Sequence, residues 1–376
     1  MSSPTDHHAS AYRSAGVDYR ALDAGKREAL NAALTTSSLL TLRGGRALDD
    51  SRGETAFVFE LAGRTLAFVL EGLGTKSMIA RQVEDSLGCA VYGHVGYDTV
   101  AAIVNDLCCV GALPLVVSAY FVIGSSDWHV HPERQTALVR GWQEACDCAG
   151  ATWGGGESPS LPGLVAPDEI ELAGSAVGVV PTGHSPILGV DLASGDEIVF
   201  VASTGLHANG ASLARKIALE LPDRYATVLP SGRTFGEALL DRSAIYVPLV
   251  SALITSGIDI HYLSHITGHG FQKLMRARQA LTYNITELPP VPEVLSFMVQ
   301  HAEMSPTEAY STFNMGCGFA IYCKAGQGPE VVRVARDVGL DAIVAGFVDA
   351  GPRRVILPND VTFENGDMDL APRQAA

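Results

Sequence analysis

Glu71-Gly72-Leu73-Gly74-Thr75-Lys76 places a carboxylate, two glycines, a hydroxyl and a lysine within six residues. Glycine lets a ligand approach the backbone closely, and lysine adds a point charge. A carboxylate can hold a cation, so the set suits a polyphosphate with magnesium. A Gly-x-Gly after a strand is more often only a tight turn, and this spacing is not that of a P-loop. Further groups of the same kind follow: Asn105-Asp106, Gly154-Gly155-Gly156-Glu157, Ser203 to Gly210, and His265 to Phe271. His207, His265 and His269 match no standard metal spacing, so each is expected in a hydrogen-bonded structural role. Neither a nucleophile elbow nor a paired-cysteine zinc site is visible.

Positioning these groups requires strand-to-helix junctions. Leu66–Leu70 is an apolar run of strand length, and Met78, Ile79, Val83 and Leu87 then recur at helical spacing. A helix start there supplies unpaired N–H groups. Residues 20–34 and 133–149 read as helices, and residues 57–61, 114–123 and 171–180 read as strands. In the Val100–Leu107 helix, Asn105 and Asp106 fall among apolar residues; they face either water or a ligand. The glycine run before Glu157 reads as backbone needing special dihedrals or close approach. In the second half, residues 197–202 form a strand and the helix after Gly210 spaces Leu213, Ile217 and Leu221 by four. Residues 41–55 read as a loop, and residues after Pro358 as a polar tail.

The chain has 376 residues, 47% hydrophobic and 18% charged, enough for two medium domains. A net charge of -15 argues against a nucleic-acid partner. Residues 1–10 lack the basic and apolar regions of a signal peptide, and His7-His8 reads as part of a loose tail. Residues 107–126 are uncharged, but Pro114 interrupts them; a helix end followed by a buried strand is expected there, and no membrane span. The seven cysteines, an odd number without a C-x-x-C, read as reduced thiols of a cytoplasmic protein. Strands and helices alternate loosely with hairpins among them, which gives a mixed α/β or α+β class.

Taken in order, Ala15-Gly16-Val17-Asp18, Gly72 to Lys76, Gly96-Tyr97-Asp98 through Leu107, Gly155-Gly156-Glu157, Gly205-Leu206-His207-Ala208-Asn209-Gly210, His265-Ile266-Thr267-Gly268 and Phe313-Asn314-Met315-Gly316 resemble the phosphoribosylformylglycinamidine cyclo-ligase family. These are the aminoimidazole ribonucleotide synthetases of purine biosynthesis, and the resemblance spans about residues 12–357. It implies a two-domain fold: an N-terminal segment (1–40), an ATP-binding domain (41–183) whose sheets pair across a homodimer, a C-terminal domain (184–358) and a tail (359–376). ATP with Mg²⁺ and a phosphorylated small-molecule substrate are implied too. Glu71 and Asp106 would hold the metal, Lys76 would contact phosphate, and Asn105 would help orient them. Gly72, Gly74, Thr75 and Glu157 would serve the nucleotide. His207 and Asn209 would face the substrate, with Thr267 and Gly268 lining the second domain's side. Asp106, Lys76 and His207 would form the catalytic set. The chain departs from the family pattern at Glu71, where aspartate is usual, at His269, where glycine is usual, and in residues 41–55, which are charged and short of glycine. A related activating enzyme for another amide or carboxylate oxygen, or a nucleotide-binding homologue without catalysis, would share most of these stretches.

Overall fold

The computed structural model describes residues 19–88, 90–358 and 360–364. Ala15 to Asp18, His7-His8, Cys89 and the tail from residue 365 lie outside the described residues. Helix α1 (Tyr19–Leu34) leads into a six-stranded sheet of order β1-β2-β3-β6-β4-β5. Its strands are β1 (Gly45–Ala47), β2 (Phe57–Leu61), β3 (Arg64–Gly72), β4 (Leu113–Ile123), β5 (Thr152–Glu157) and β6 (Ile170–Val179). Period-2 alternation on β3 buries Ala67 and Val69 and exposes Phe68 and Leu70. Helix α3 (Tyr92–Cys108) crosses β3, β6 and β4, and α4 (Pro132–Ala149) packs beside it. The two helices nearly touch. A Cβ on Gly141 would lie 1.9 Å from the Gly93 carbonyl oxygen. Trp142 of α4 meets Phe121 of β4 edge-on, with ring centroids 5.0 Å apart.

The second sheet has seven strands in the order β13-β12-β9-β11-β7-β10-β8. Within it, β7 (Glu197–Ala202) and β10 (Cys317–Cys323) are apolar along most of their length because both faces are covered. The others are β8 (Ile260–His265), β9 (Leu281–Ile285), β11 (Ala342–Ala350), β12 (Arg354–Ile356) and β13 (Thr362–Glu364). Helices α5 (Ala211–Glu220), α6 (Phe235–Leu239), α7 (Val247–Ser256), α8 (Glu293–His301), α9 (Pro306–Thr312) and α10 (Gly328–Asp337) complete this half. Helix α2 (Lys76–Leu87), from the first half, contacts α5 and α6 of the second.

Several sequence expectations change. The polar stretch 41–55 contains β1, and the supposed tail contains β13, because backbone pairing against an existing edge organises both. The glycine run makes up half of the six-residue strand β5. A Cβ on Gly156 would sit 2.1 Å from the Ala119 carbonyl oxygen, so close approach to β4 explains the glycine. Residues 107–126 form the end of α3 and β4, and among the described residues no helix is long and apolar enough to cross a membrane. Five of the six described cysteines are buried thiols, and Cys148 is exposed.

Candidate active site between the two sheets

Helix α3 is the element that joins the halves. Asp98, Ala102, Asn105 and Asp106 fall at i, i+4, i+7 and i+8, one stripe of a helix. This stripe faces the second half. Asn105 Nδ2 donates to the Ala244 carbonyl at 2.8 Å, and Tyr246 N–H donates to Asn105 Oδ1 at 2.8 Å. The Asn105 amide thus clamps the chain just before α7, while the residue also lines the cavity beside Asp106. Asp98 Oδ1 accepts from Ser243 N–H at 2.7 Å.

Lys76 completes the joint. Its Nζ lies 2.6 Å from Asp98 Oδ2 and donates to the His207 carbonyl at 2.7 Å. Both side chains are fully buried. A buried ammonium this close to a carboxylate is committed to it, so Lys76 is a strut between the halves, not the expected phosphate contact. Thr75 behaves alike, its Oγ1 lying 3.0 Å from Ser212 Oγ of α5.

A cavity of about 420 Å³ opens beside this joint. The first half lines it with Glu71, Gly72, Leu73, Asn105 and Asp106. The second half contributes His207, Asn209, Thr267, Gly268 and His269. Gly74, Thr75, Lys76 and Glu157 are not among its lining residues. Glu157 ends the edge strand β5, exposed, and accepts from the Ser158 N–H. Its expected service to the nucleotide therefore has no support in this cavity.

Glu71 shares the β3 face of Ala67 and Val69 and meets Asp106 at the end of α3. Burial first, then the Asp106 charge beside it, pushes Glu71 up to about 8. Asp106 goes the other way. Burial alone would raise it, but the His265 hydrogen bond, Lys273 and Arg276 draw it down to about 2. His265 Nδ1–H donates to Asp106 Oδ1 at 2.7 Å. The two acids therefore share one wall with one proton between them, a place suited to a divalent cation.

Opposing cations come from segments that the sequence did not single out. Lys273 Nζ donates to Thr267 Oγ1 at 2.7 Å, and burial together with Arg276 pushes Lys273 down to about 8. Arg276 donates through Nε and Nη2 to the Gly53 carbonyl at 3.0 and 2.8 Å, and Tyr262 donates to Glu54 Oε2 at 2.8 Å. The charged 41–55 stretch is thereby bound to the second half. Lys26 and Arg27 of α1 also reach the cavity. The basic residues come from two short segments about 250 residues apart and form no recognised motif. The α3 stripe, by contrast, was visible as a helical spacing.

His207 is 5% exposed and takes a left-handed φ of 58°. Its Nε2 accepts from Thr204 N–H at 3.2 Å and from Ala244 N–H at 3.5 Å. Nε2 also lies 3.1 Å from Thr204 Oγ1, whose hydrogen goes to the Arg242 carbonyl at 2.5 Å. A proton on Nε2 would suit that oxygen but orphan two backbone donors, so the proton belongs on Nδ1. Burial, then His265 and Lys76, pushes the ring down to about 3, which keeps it neutral.

Residues 53–180 match the family described as AIR synthase related protein, N-terminal domain, and residues 193–357 match its C-terminal domain. A phosphoribosylformylglycinamidine cyclo-ligase of Methanobrevibacter smithii is 31% identical over 331 residues, covering 87% of this chain and 91% of the relative. One of Sorangium cellulosum is 36% identical over 368 residues, 94% of this chain and 97% of the relative. Among solved structures, a HypE–HypF complex aligns with a TM-score of 0.60 at 18% identity, covering 83% of this chain and 93% of that one, a likeness of fold. Both domain matches fall in order along one chain, and the cyclo-ligase relatives extend across nearly its whole length: the chain belongs to the AIR synthase related protein family.

Proposed function

We propose that the chain is an ATP-dependent cyclo-ligase that closes formylglycinamidine ribonucleotide to aminoimidazole ribonucleotide. The observation that carries this reading is the cavity between the halves, where the Glu71–Asp106 pair meets Lys273 and Arg276 in a chain 31–36% identical to cyclo-ligases. An amide-type oxygen is a poor leaving group until it is phosphorylated. ATP supplies that phosphoryl group, the neighbouring amine attacks the activated carbon, and phosphate departs. Such chemistry depends on positioning and on charge stabilisation around the phosphoryl group.

The residues fit a magnesium ion. Mg²⁺ takes oxygen ligands and is often held by one or two carboxylates with phosphate oxygens and water completing the shell. Glu71 and Asp106 are such a pair, and among the described residues no group of three His, Cys, Asp or Glu side chains forms a fuller cage. When bound, the ion neutralises polyphosphate charge. Lys273 and Arg276 place positive charge on the same wall, and Lys76 with Asn105 holds the two halves in register. The expected assay result is aminoimidazole ribonucleotide with one phosphate released per ring, from purified protein, ATP, Mg²⁺ and formylglycinamidine ribonucleotide. Intact ATP binding without product would overturn the assignment in favour of another amide or carboxylate substrate.

A homodimer through the first sheet belongs to the same reading. The face of that sheet turned away from α3 exposes Phe68 (42%), Leu70 (67%), Leu115 and Tyr120. Contiguous apolar surface of this kind on a sheet favours a partner. Light scattering after size exclusion should give twice the 39.6 kDa chain mass, and Leu70→Lys should shift it to the single-chain mass. A wild-type monomer would dismiss the dimer.

A further inference from the structure

Lys273 lines the cavity without a counter-ion of its own. It is 8% exposed, and among the described residues its Nζ has one hydrogen-bond partner, Thr267 Oγ1 at 2.7 Å. No carboxylate among them lies within ion-pairing distance, unlike Lys76, which is held on Asp98. An ammonium carries three donors, so two lack a protein acceptor, and a buried charge is costly when left so. Arg276 repels the ammonium, while Asp106 and Glu71 of the same cavity attract it from beyond contact. Thr267 also lines the cavity. Its Oγ1 accepts from Lys273, so its own hydroxyl hydrogen is left to donate, and no described residue takes it. The loop that carries both residues is fixed. Ser264 Oγ donates to the Lys273 carbonyl at 3.0 Å, and Gly270 N–H donates to the Thr267 carbonyl at 3.0 Å.

We infer that Lys273 Nζ and Thr267 Oγ1–H form a subsite for phosphoryl oxygens beside the Glu71–Asp106 pair. The choice of a phosphoryl ligand rests on the function proposed above. A phosphoryl group carries several charged oxygens, so one can meet a cation on the acids while another takes the ammonium and the hydroxyl. A cation on the acids would also cancel the attraction that Lys273 feels, which leaves the ammonium to the incoming anion. Both the terminal group of ATP and the phosphate monoester of the ribonucleotide have this chemistry. Nearness to the carboxylate pair favours the ATP group. Lys273 thereby takes the phosphate contact that Lys76, locked in its strut, does not make, and both groups touch the transferring phosphoryl.

Lys273→Met tests the subsite, because it keeps the stem and removes the charge. Titration calorimetry with Mg²⁺ and no second substrate should show affinity for β,γ-imido ATP falling about 10- to 100-fold. ADP, which lacks the terminal group, should bind within twofold of wild type. An equal loss for both nucleotides would mark a diffuse field and overturn the contact. If instead the ATP analogue is unaffected and affinity for formylglycinamidine ribonucleotide falls by the same factor, the subsite stands and holds the monoester. Unchanged affinity for both ligands, or a wild type that binds neither, overturns it. Thr267→Val keeps side-chain volume and should lower the same affinity about 3- to 10-fold; it decides the matter if Lys273→Met does not fold, and no loss for either ligand then overturns the subsite. These measurements need no turnover. A wild type that binds the ATP analogue but does not convert the ribonucleotide would end the proposed function and leave the subsite to the binding results.

Discussion

Lys76→Met will lower folding stability by about 3–5 kcal/mol, the usual cost of stripping one partner from a buried ion pair. Methionine matches the length of the lysine stem, so packing changes little and the loss reads the charge. Asp98, fully buried, keeps the Ser243 N–H but loses the Lys76 ammonium, its ion-pair partner among the described residues. The left-handed His207 loses the donor on its carbonyl as well. Adding Asp98→Asn to Lys76→Met removes the stranded charge and retains an acceptor for Ser243, so at least half of the lost stability should return. Urea denaturation of the two variants checks this. A lysine facing phosphate would give the opposite pattern, with full stability and weakened ATP binding, and a single variant as stable as wild type would end the strut reading.

Glu71→Gln should reduce ATP turnover at least about 10³-fold, since a metal–phosphate site loses one of only two carboxylates. The fold should survive. Burial already holds Glu71 near a pKa of about 8, so at neutral pH the protein without ligand largely keeps a protonated side chain there, and glutamine imitates it. Thermal stability without ligand should stay within about 1 kcal/mol of wild type, while Mg²⁺-dependent ATP affinity falls. Titration calorimetry with and without Mg²⁺ separates the two effects. Unchanged turnover would remove Glu71 from the metal site and leave Asp106 alone there.

The two variants show where reading by motif succeeds and where it stops. Lys76 and Glu71 sit five residues apart in one motif and were assigned to one ligand. The fold sends them to different places. Glu71 ends a strand whose inner face meets α3, so it reaches the cavity. Lys76 opens the next helix and turns toward Asp98. Local spacing predicts that a strand hands over to a helix, but the direction of the first helical side chain depends on what packs against it. Asn105 makes the same point: its burial was foreseen as ambiguous, and its partners at Ala244 and Tyr246 are about 140 residues away.

By itself, the sequence determined the main elements, the two-part α/β organisation with its family, and several residues that converge on the site. Hydrophobic period, glycine placement and the order of the seven stretches are local properties, and they suffice for that. Only the tertiary structure decided the rest: that β5 is a glycine-built edge strand, that Glu157 stands away from the cavity, that Lys273, Arg276 and Ser243 line it, and that Lys76 is a strut. Each of these is set by long-range contacts, in which burial and the nearest opposite charge decide what a side chain does.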